Sequence, residues 1–503
     1  MKKILINHEP WQIRIAITRN EELQNIYFST YVLQTLERAF FKGTVIKVLP
    51  GIQTAFVDIG QEKAGFLHIS EIDRELAIQA MSNYVQVDDD EEKEYEKKLR
   101  AKRDISKILK EGDPILVQVS KEPMYEKGAK LTTCFTIPGR FLVLMPNIPR
   151  IGVSKKIEDR EERIRLKNII KNYLPTGMGV IIRTTSEGRG EKALLKDLTY
   201  LVKEWRTIAA AFDKAKPQEK IHEDLDLSLQ IVRDHLDDDV EAVITDNKKN
   251  QASIYRFVKK IAPEYTQKIK LYDGTPNIFE FYNIEKQIEQ GLEQKAFLRS
   301  GGSLIIETTE AMTVIDVNTS KFTGKTNLEE TIFKTNMEAA EEVVRQLKLR
   351  NIGGLIVIDF IDMAIPANRQ KLFQFFEKIL RERDKFQSVV LKISEFGIVQ
   401  MTRKRSGKTL IQQLTSRCPT CKGLGFIRSI QAESHTVLRH LKQDLLTKKI
   451  EKQIAFVVPP HIFDYITSAE YNAILSLEKS FNCKITLVSE SSLGAAEYKI
   501  KIK

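Results

Sequence analysis

Cysteine is scarce in this chain: four residues in 503, of which only Cys418 and Cys421 stand close together. So few thiols build no disulfide framework at this length, which sets aside the disulfide-stapled secreted class. Long apolar runs are lacking too. No uninterrupted stretch approaches the ~20 residues of a membrane span. The opening MKKILINHEPW is basic, but its apolar run is too short for a secretory signal. The expectation is a cytoplasmic protein. Negative charge is the minority sign, with 68 Asp and Glu against 79 Lys and Arg, a formal +11. That balance favours a polyanionic partner such as nucleic acid, although excess lysine is also a general route to solubility. At 503 residues the chain has room for three or four domains.

The richest stretch is 311–363, AMTVIDVNTSKFTGKTNLEETIFKTNMEAAEEVVRQLKLRNIGGLIVIDFIDM. It reads as strand, loop, long helix, strand. Met312 to Val317 is β-branched and apolar except for Asp316, and Asn318 follows two places on, so both should share a face. Asn327 with Glu330 resembles a capping box, Lys348 and Arg350 suit a helix C-terminus, and Gly353-Gly354 ends the helix. Leu355 to Ile358 is a short buried-type strand ending in Asp359. Such a unit favours parallel neighbours, which would bring Asp359 beside Asp316. Two carboxylates and an amide at one sheet edge suit Mg²⁺, which keeps several waters and binds through one or two carboxylates plus phosphate. The bland alternative is that both acids merely end strands.

Upstream, 43–72 has the texture of short strands and turns: Val45 to Leu49, Thr54 to Ile59 and Ala64 to Ile69. Small all-β units of this kind are often five-stranded oligonucleotide-binding (OB) barrels, and Phe56 and Phe66 are candidate base platforms or else barrel core. An acidic-then-basic block, about 73–107, reads as a solvated helix or a disordered loop. Val180 to Ile182 forms a strand ending in Arg183-Thr184, a pattern that can grip phosphate. His222, His235 and Asp237 to Asp239 match no metal spacing and are read as solvated helix. Asn368 to Arg383 is an amphipathic helix and Ser388 to Ile393 a strand. Arg403, Lys404, Arg405 and Lys408 form a basic cluster suited to phosphate, or a solvent-facing turn. CPTCKGLG is a knuckle supplying two of the four ligands that structural zinc needs. A two-fold partner could supply the other pair. The rival is a redox CxxC, for which no thioredoxin-like context is evident. From Ser429 come a charged helix, strands Ile454 to Val458 and Lys484 to Val488, and a helix Ala469 to Ser480.

IDVN, TNMEAAEEVVRQLKLRNIGGLIVIDFIDM and CPTCKGLG, in this order, resemble the bacterial ribonuclease E/G family, and the similarity extends through almost the whole chain. The resemblance implies an α/β multidomain fold. It would comprise an RNase H-like scaffold (1–36 and 216–290), an OB-type RNA-binding barrel (37–130, insertion about 73–107) and a 5′-phosphate sensor region (131–215). A DNase I-like catalytic subdomain (291–413), a zinc-binding link (414–428) and a small C-terminal α/β domain (429–503) complete it. It also implies a Mg²⁺-dependent endoribonuclease of single-stranded RNA, in rRNA processing and mRNA decay, leaving 5′-phosphate and 3′-hydroxyl ends. Asp316 and Asp359 would hold the metal and Asn318 would place the phosphate. Arg183 and Thr184 would read a 5′-monophosphate, and Phe56, Phe66 and Lys127 would contact RNA. Cys418 and Cys421 would share Zn²⁺ across a homodimer, or within a tetramer of two such dimers. Lacking a long Pro- or Arg-rich extension, the chain sits with the shorter members. One departure is Glu395, where the family usually carries Arg. On residues alone, a non-catalytic RNA-binding scaffold and an enzyme acting on DNA stay open.

Overall fold

The computed structural model describes residues 1–30, 36–72, 85–86, 104–123, 128–319, 328–394, 396–448, 453–494 and 497–502. Asn327, Lys127, Glu395 and most of the 73–107 insertion lie outside them. The chain divides into two compact units, 1–411 and 412–503.

In the first unit, strands Lys2–His8, Gln12–Arg19 and Glu22–Thr30 form an antiparallel meander. Its first strand also pairs in parallel with Val240–Thr245, which pairs in parallel with Ile269–Leu271. Alternation fills both faces of this sheet. Ile4, Ile6, Ile13, Ile15 and Ile17 pack on Ile231, Val232, Ile254 and Val258 of two helices, while Leu5, Ala16 and Leu23 meet Phe279 and Ile284 behind. His235, expected on a solvated helix, is buried, and desolvation pushes its imidazole well below the usual value.

The stretch between these halves folds separately. Phe40–Leu49, Thr54–Asp58, Gly65–His68, Lys130–Thr132 and Pro114–Lys121 pair in that order, and the last returns to the first, closing a five-stranded barrel. A second sheet holds Leu142–Met145, Gly179–Ile182 and Ile151–Ser154 under helices Arg160–Lys171 and Glu191–Lys214.

The sheet that carries the acids has six strands: β1 Lys295–Phe297, β2 Ser303–Thr308, β3 Met312–Asn318, β4 Gly354–Asp359, β5 Ser388–Val390 and β6 Ile398–Arg403. Their spatial order is β1-β2-β3-β4-β6-β5. Helix α1, Leu328–Leu349, links the parallel pair β3 and β4, and α2, Pro366–Arg383, follows β4. Ala339, Ala340, Val343, Val344 and Leu347 recur at helical spacing, so α1 lays one apolar stripe on the sheet beside Leu372, Phe376 and Ile379 of α2. Ile315, Val317, Ile356 and Ile358 meet that stripe. Strand alternation turns Asp316, Asn318 and Asp359 to the opposite face.

In the second unit, Ile454–Val458 lies between Ile485–Ser489, parallel, and Lys499–Ile502, antiparallel. Helix Ile430–Lys448 precedes them. Two helices, Pro460–Ala469 and Tyr471–Phe481, stand where a single one was expected, the first opening on a proline at its first position.

Candidate active site

Parallel pairing of β3 with β4 puts Asp316 directly opposite Asp359, one strand spacing (~4.8 Å) apart. Asn318 donates from Nδ2 to the Asp316 carboxylate at 2.7 Å. Partial burial raises the Asp359 carboxyl above the usual range, helped by the negative charges of Asp316 and Asp362. Crowded like charges are what a cation would relieve. Among the described residues no group of three or more His, Cys, Asp or Glu gathers into a ligand cage. The donor set of two carboxylates fits Mg²⁺, which takes its remaining ligands from water and phosphate rather than from protein.

Two residues that no sequence motif singles out hold the segment after β4. Asn336 of α1, fully buried, donates to the Ile361 carbonyl at 2.8 Å and accepts from the Ile361 amide at 3.0 Å, a side-chain copy of a strand rung. Two turns earlier on α1, Glu329 accepts from the amides of Ala364 and Ile365 and from Asn368. Gly397, at φ +75°, lets the β6 turn come close: a Cβ there would lie 2.8 Å from the Phe360 carbonyl and 3.1 Å from Asp362. Nothing in the sequence marked Asn336 except its place on the apolar stripe of α1.

The basic cluster is not where sequence proximity suggested. β6 runs antiparallel to β4 with Arg403 opposite Gly354 and Ile398 opposite Asp359. Arg403 and the residues after it therefore lie at the far end of the sheet from the acids. Arg403 itself is 2% exposed and bonded through two nitrogens to Asp384, at 2.6 and 3.1 Å. Lys392 lies toward the acid end, exposed on a segment bonded alongside Ile398 and Gln400.

Arg183 and Thr184 end the Gly179–Ile182 strand as expected, but Arg183 is already engaged. Its Nη1 donates to Asp234 at 2.8 Å and to the Gly139 carbonyl. Asp234 is held well below the usual carboxylate range by Arg183 and Arg233, against the opposing effect of burial. Thr184 is exposed, its hydroxyl 3.2 Å from that of Ser154.

On the barrel, Phe56 and Phe66 are outside the core, which is built from Phe41, Val45, Ala55, Val57 and Leu67. They are direct cross-strand partners, with Lys47 opposite Phe56 and Lys130 opposite Phe66. Two half-buried aromatics stand between Lys47 and Lys130 in one outer row, with the Lys130 ammonium paired to the Glu71 carboxylate; aromatics beside an exposed lysine are an arrangement that stacks bases and meets a backbone.

In the second unit, Cys418 is exposed and Cys421 partly so. Backbone amides of Cys421 and Thr420 bond the Cys418 sulfur, and the two side chains interact. Positive-φ Gly423 and Gly425 keep the following turn open. Two such thiols fit half of a tetrahedral zinc site.

Residues 136–406 match a family model described as Ribonuclease E/G family, residues 37–133 an S1 RNA binding domain, and residues 417–503 a RNase E/G, Thioredoxin-like domain. The third match corrects the expectation that no thioredoxin-like context surrounds the CxxC, although both cysteines lie ahead of helix Ile430–Lys448 and outside the three-stranded sheet. The chain is 37% identical over 439 residues to Ribonuclease G of Escherichia coli (strain K12), covering 87% of each. It is 37% identical over 473 residues to Ribonuclease G of Haemophilus influenzae, covering 94% of this chain and 93% of the relative. To Ribonuclease E of Escherichia coli (strain K12) it is 35% identical over 485 residues, 95% of this chain but 44% of that one. No helix among the described residues is long and apolar enough to cross a membrane.

Proposed function

The chain belongs to the ribonuclease E/G family, and from that premise we propose that it is a Mg²⁺-dependent endoribonuclease of single-stranded RNA, working in the cytoplasm in rRNA processing and mRNA decay. The observation that carries the reading is the register of β3 on β4, which pairs Asp316 with Asp359 on an open face, Asn318 beside them. On this reading the scaffold sheet is RNase H-like and the acid-bearing sheet DNase I-like.

Asp316 and Asp359 would hold Mg²⁺. When bound, the ion polarises the phosphate and lowers the pKa of a bound water. Asn318 spends one amide proton on Asp316 and keeps the other for a non-bridging phosphate oxygen. Lys392 adds positive charge at the same end of the sheet. The barrel row of Lys47, Phe56, Phe66 and Lys130 grips nucleotides away from the cut. Products carry 5′-phosphate and 3′-hydroxyl ends. Arg183 and Thr184 take a 5′-monophosphate, which must draw Arg183 from Asp234. Cys418 and Cys421 share a structural zinc with a second copy, joining a homodimer or a tetramer of two.

The test is a short single-stranded RNA bearing either a 5′-monophosphate or a 5′-hydroxyl, incubated with Mg²⁺ and wild type, Asp316→Ala or Asp359→Ala. Internal cleavage that either substitution abolishes, faster on the monophosphate, is expected. Equal rates on the two ends would remove the sensor and leave the nuclease. Tight binding without Mg²⁺-dependent cleavage would make the chain a non-catalytic RNA-binding scaffold.

A further inference from the structure

β1 is the edge strand of the acid-bearing sheet, and its two outward residues are Lys295 and Phe297. The rungs place them. Phe297 pairs with Ser303, which pairs with Asn318, while Lys295 pairs with Ile305, which pairs with Asp316, itself opposite Asp359. Rung partners share a face. The intervening Ala296 and Leu304 face the other way, into the core under α1 and α2. Phe297 therefore stands on the acid-bearing face, two strand spacings (~10 Å) from Asn318. Its ring is 68% exposed, and the Lys295 ammonium lies 5.0 Å from the ring centroid.

Single apolar side chains on a surface are common and mean little. What distinguishes this one is its rung and its companion. It shares a face, and an end of the sheet, with the carboxylates and the phosphate-directed amide. It also carries a cation over one ring face, the combination that holds single-stranded nucleic acid by stacking and backbone neutralisation. We propose that Phe297, with Lys295, is a nucleobase-stacking subsite on the acid-bearing sheet, set about one or two nucleotides from the scissile phosphate. The ligand is one unpaired base of the RNA substrate, without sequence preference, because every base offers a π face. The subsite rests on the ribonuclease reading and is distinct from the barrel row, which belongs to another sheet.

The test uses short RNAs in which an abasic ribose replaces each nucleotide in turn around the cleavage position. With wild type, one abasic position within two or three nucleotides of the cut should raise KM about tenfold. Phe297→Ala should raise KM on the intact RNA by the same factor, leave kcat within about twofold, and be insensitive to that abasic position. Phe297→Trp should restore the intact-RNA KM. Because Phe297 is exposed, the alanine variant should melt with wild type. Anisotropy of the same RNAs in EDTA repeats the comparison without cleavage. Position-specific loss of binding there, with no cleavage by wild type, would keep the subsite while removing the nuclease. Wild-type cleavage with Phe297→Ala equal to wild type on every RNA, or equally sensitive to the abasic position, would overturn the subsite and leave the nuclease standing.

Discussion

Replacing Arg403 with Gln separates two accounts of the basic cluster. If the residue neutralises RNA phosphate, its loss weakens binding and leaves the fold intact. The structure requires the reverse. Arg403 makes two bonds to Asp384, at 2.6 and 3.1 Å, a third to the Ile352 carbonyl at 2.5 Å, and lies 4.7 Å from the Phe386 ring centroid. The side chains of the pair are 1% and 3% exposed. Removing one partner of such a pair leaves a buried uncompensated charge and costs about 3–5 kcal/mol. For a unit of about 400 residues that is a fall in Tm of roughly 3–6 °C. Arg403→Met combined with Asp384→Leu removes both charges and should recover most of the loss. The assays are thermal unfolding by circular dichroism and RNA binding by anisotropy in EDTA as a function of salt. For a single strand, neutralising one phosphate fewer flattens the plot of log K against log[salt] by about 0.7. Arg403→Gln should leave that slope unchanged. A wild-type Tm together with a slope reduced by about 0.7 would instead make Arg403 a phosphate contact.

Asn336→Leu removes the paired bonds to Ile361; we expect unfolding to lose about 1–3 kcal/mol and cleavage to fall at least about tenfold, with RNA affinity in EDTA unchanged. Affinity falling in step with rate would show that Asn336 does not act through the acid-bearing segment. Burial lowers the Lys348 ammonium to about 8, from 10.5. The fold therefore penalises the charged form, and this destabilisation, full below pH 8, fades as pH rises toward 10.5. Lys348→Met should be more stable than wild type at pH 7, by about 1–3 kcal/mol, the gap closing by pH 10.5; a gap constant with pH would sink this. Phe56→Ala or Phe66→Ala should each weaken RNA binding about tenfold with little change in Tm, and unchanged affinity would leave the barrel row without a role. Cys418→Ser and Cys421→Ser should each abolish zinc and leave monomers by light scattering; metal analysis of wild type should give about one zinc per two chains. A full zinc per chain would exclude the shared site.

What the sequence made legible was local. The strand-terminal acids lie within about fifty residues of each other, and the preference for parallel neighbours across a helix did the rest; the helix itself ends at Leu349, short of Gly353-Gly354, with Asn351 in the left-handed region. The barrel strands were equally readable, because alternation and turns are short-range signals. The outward direction of Phe56 and Phe66 was there to be read as well, since Ala55, Val57 and Leu67 claim the inward positions. Arg403 could not be placed that way. A buried arginine and a surface arginine look alike in a string, and only the antiparallel return of β6 reveals that RKRSGK lies opposite Gly354 instead of Asp359. Asn336 was hidden for a similar reason: its partner is a backbone group 25 residues away, which no pattern of side chains announces.

The parallel pairing of Ile4 with Val243 has a temporal side. The first strands leave the ribosome roughly 240 residues before the partner that completes their sheet, which at ordinary synthesis rates is on the order of ten to fifty seconds. Closing so long a loop from an unfolded chain costs about 5 kcal/mol in entropy beyond the fixed constant. Prior folding of the barrel and the sheet behind it draws the ends together and shrinks that cost. The inserted domains would thus mature first, and the meander Lys2–Thr30 would wait with its apolar faces uncovered. That interval leaves the amino-terminal meander with exposed strand edges and apolar faces until its partner strand arrives.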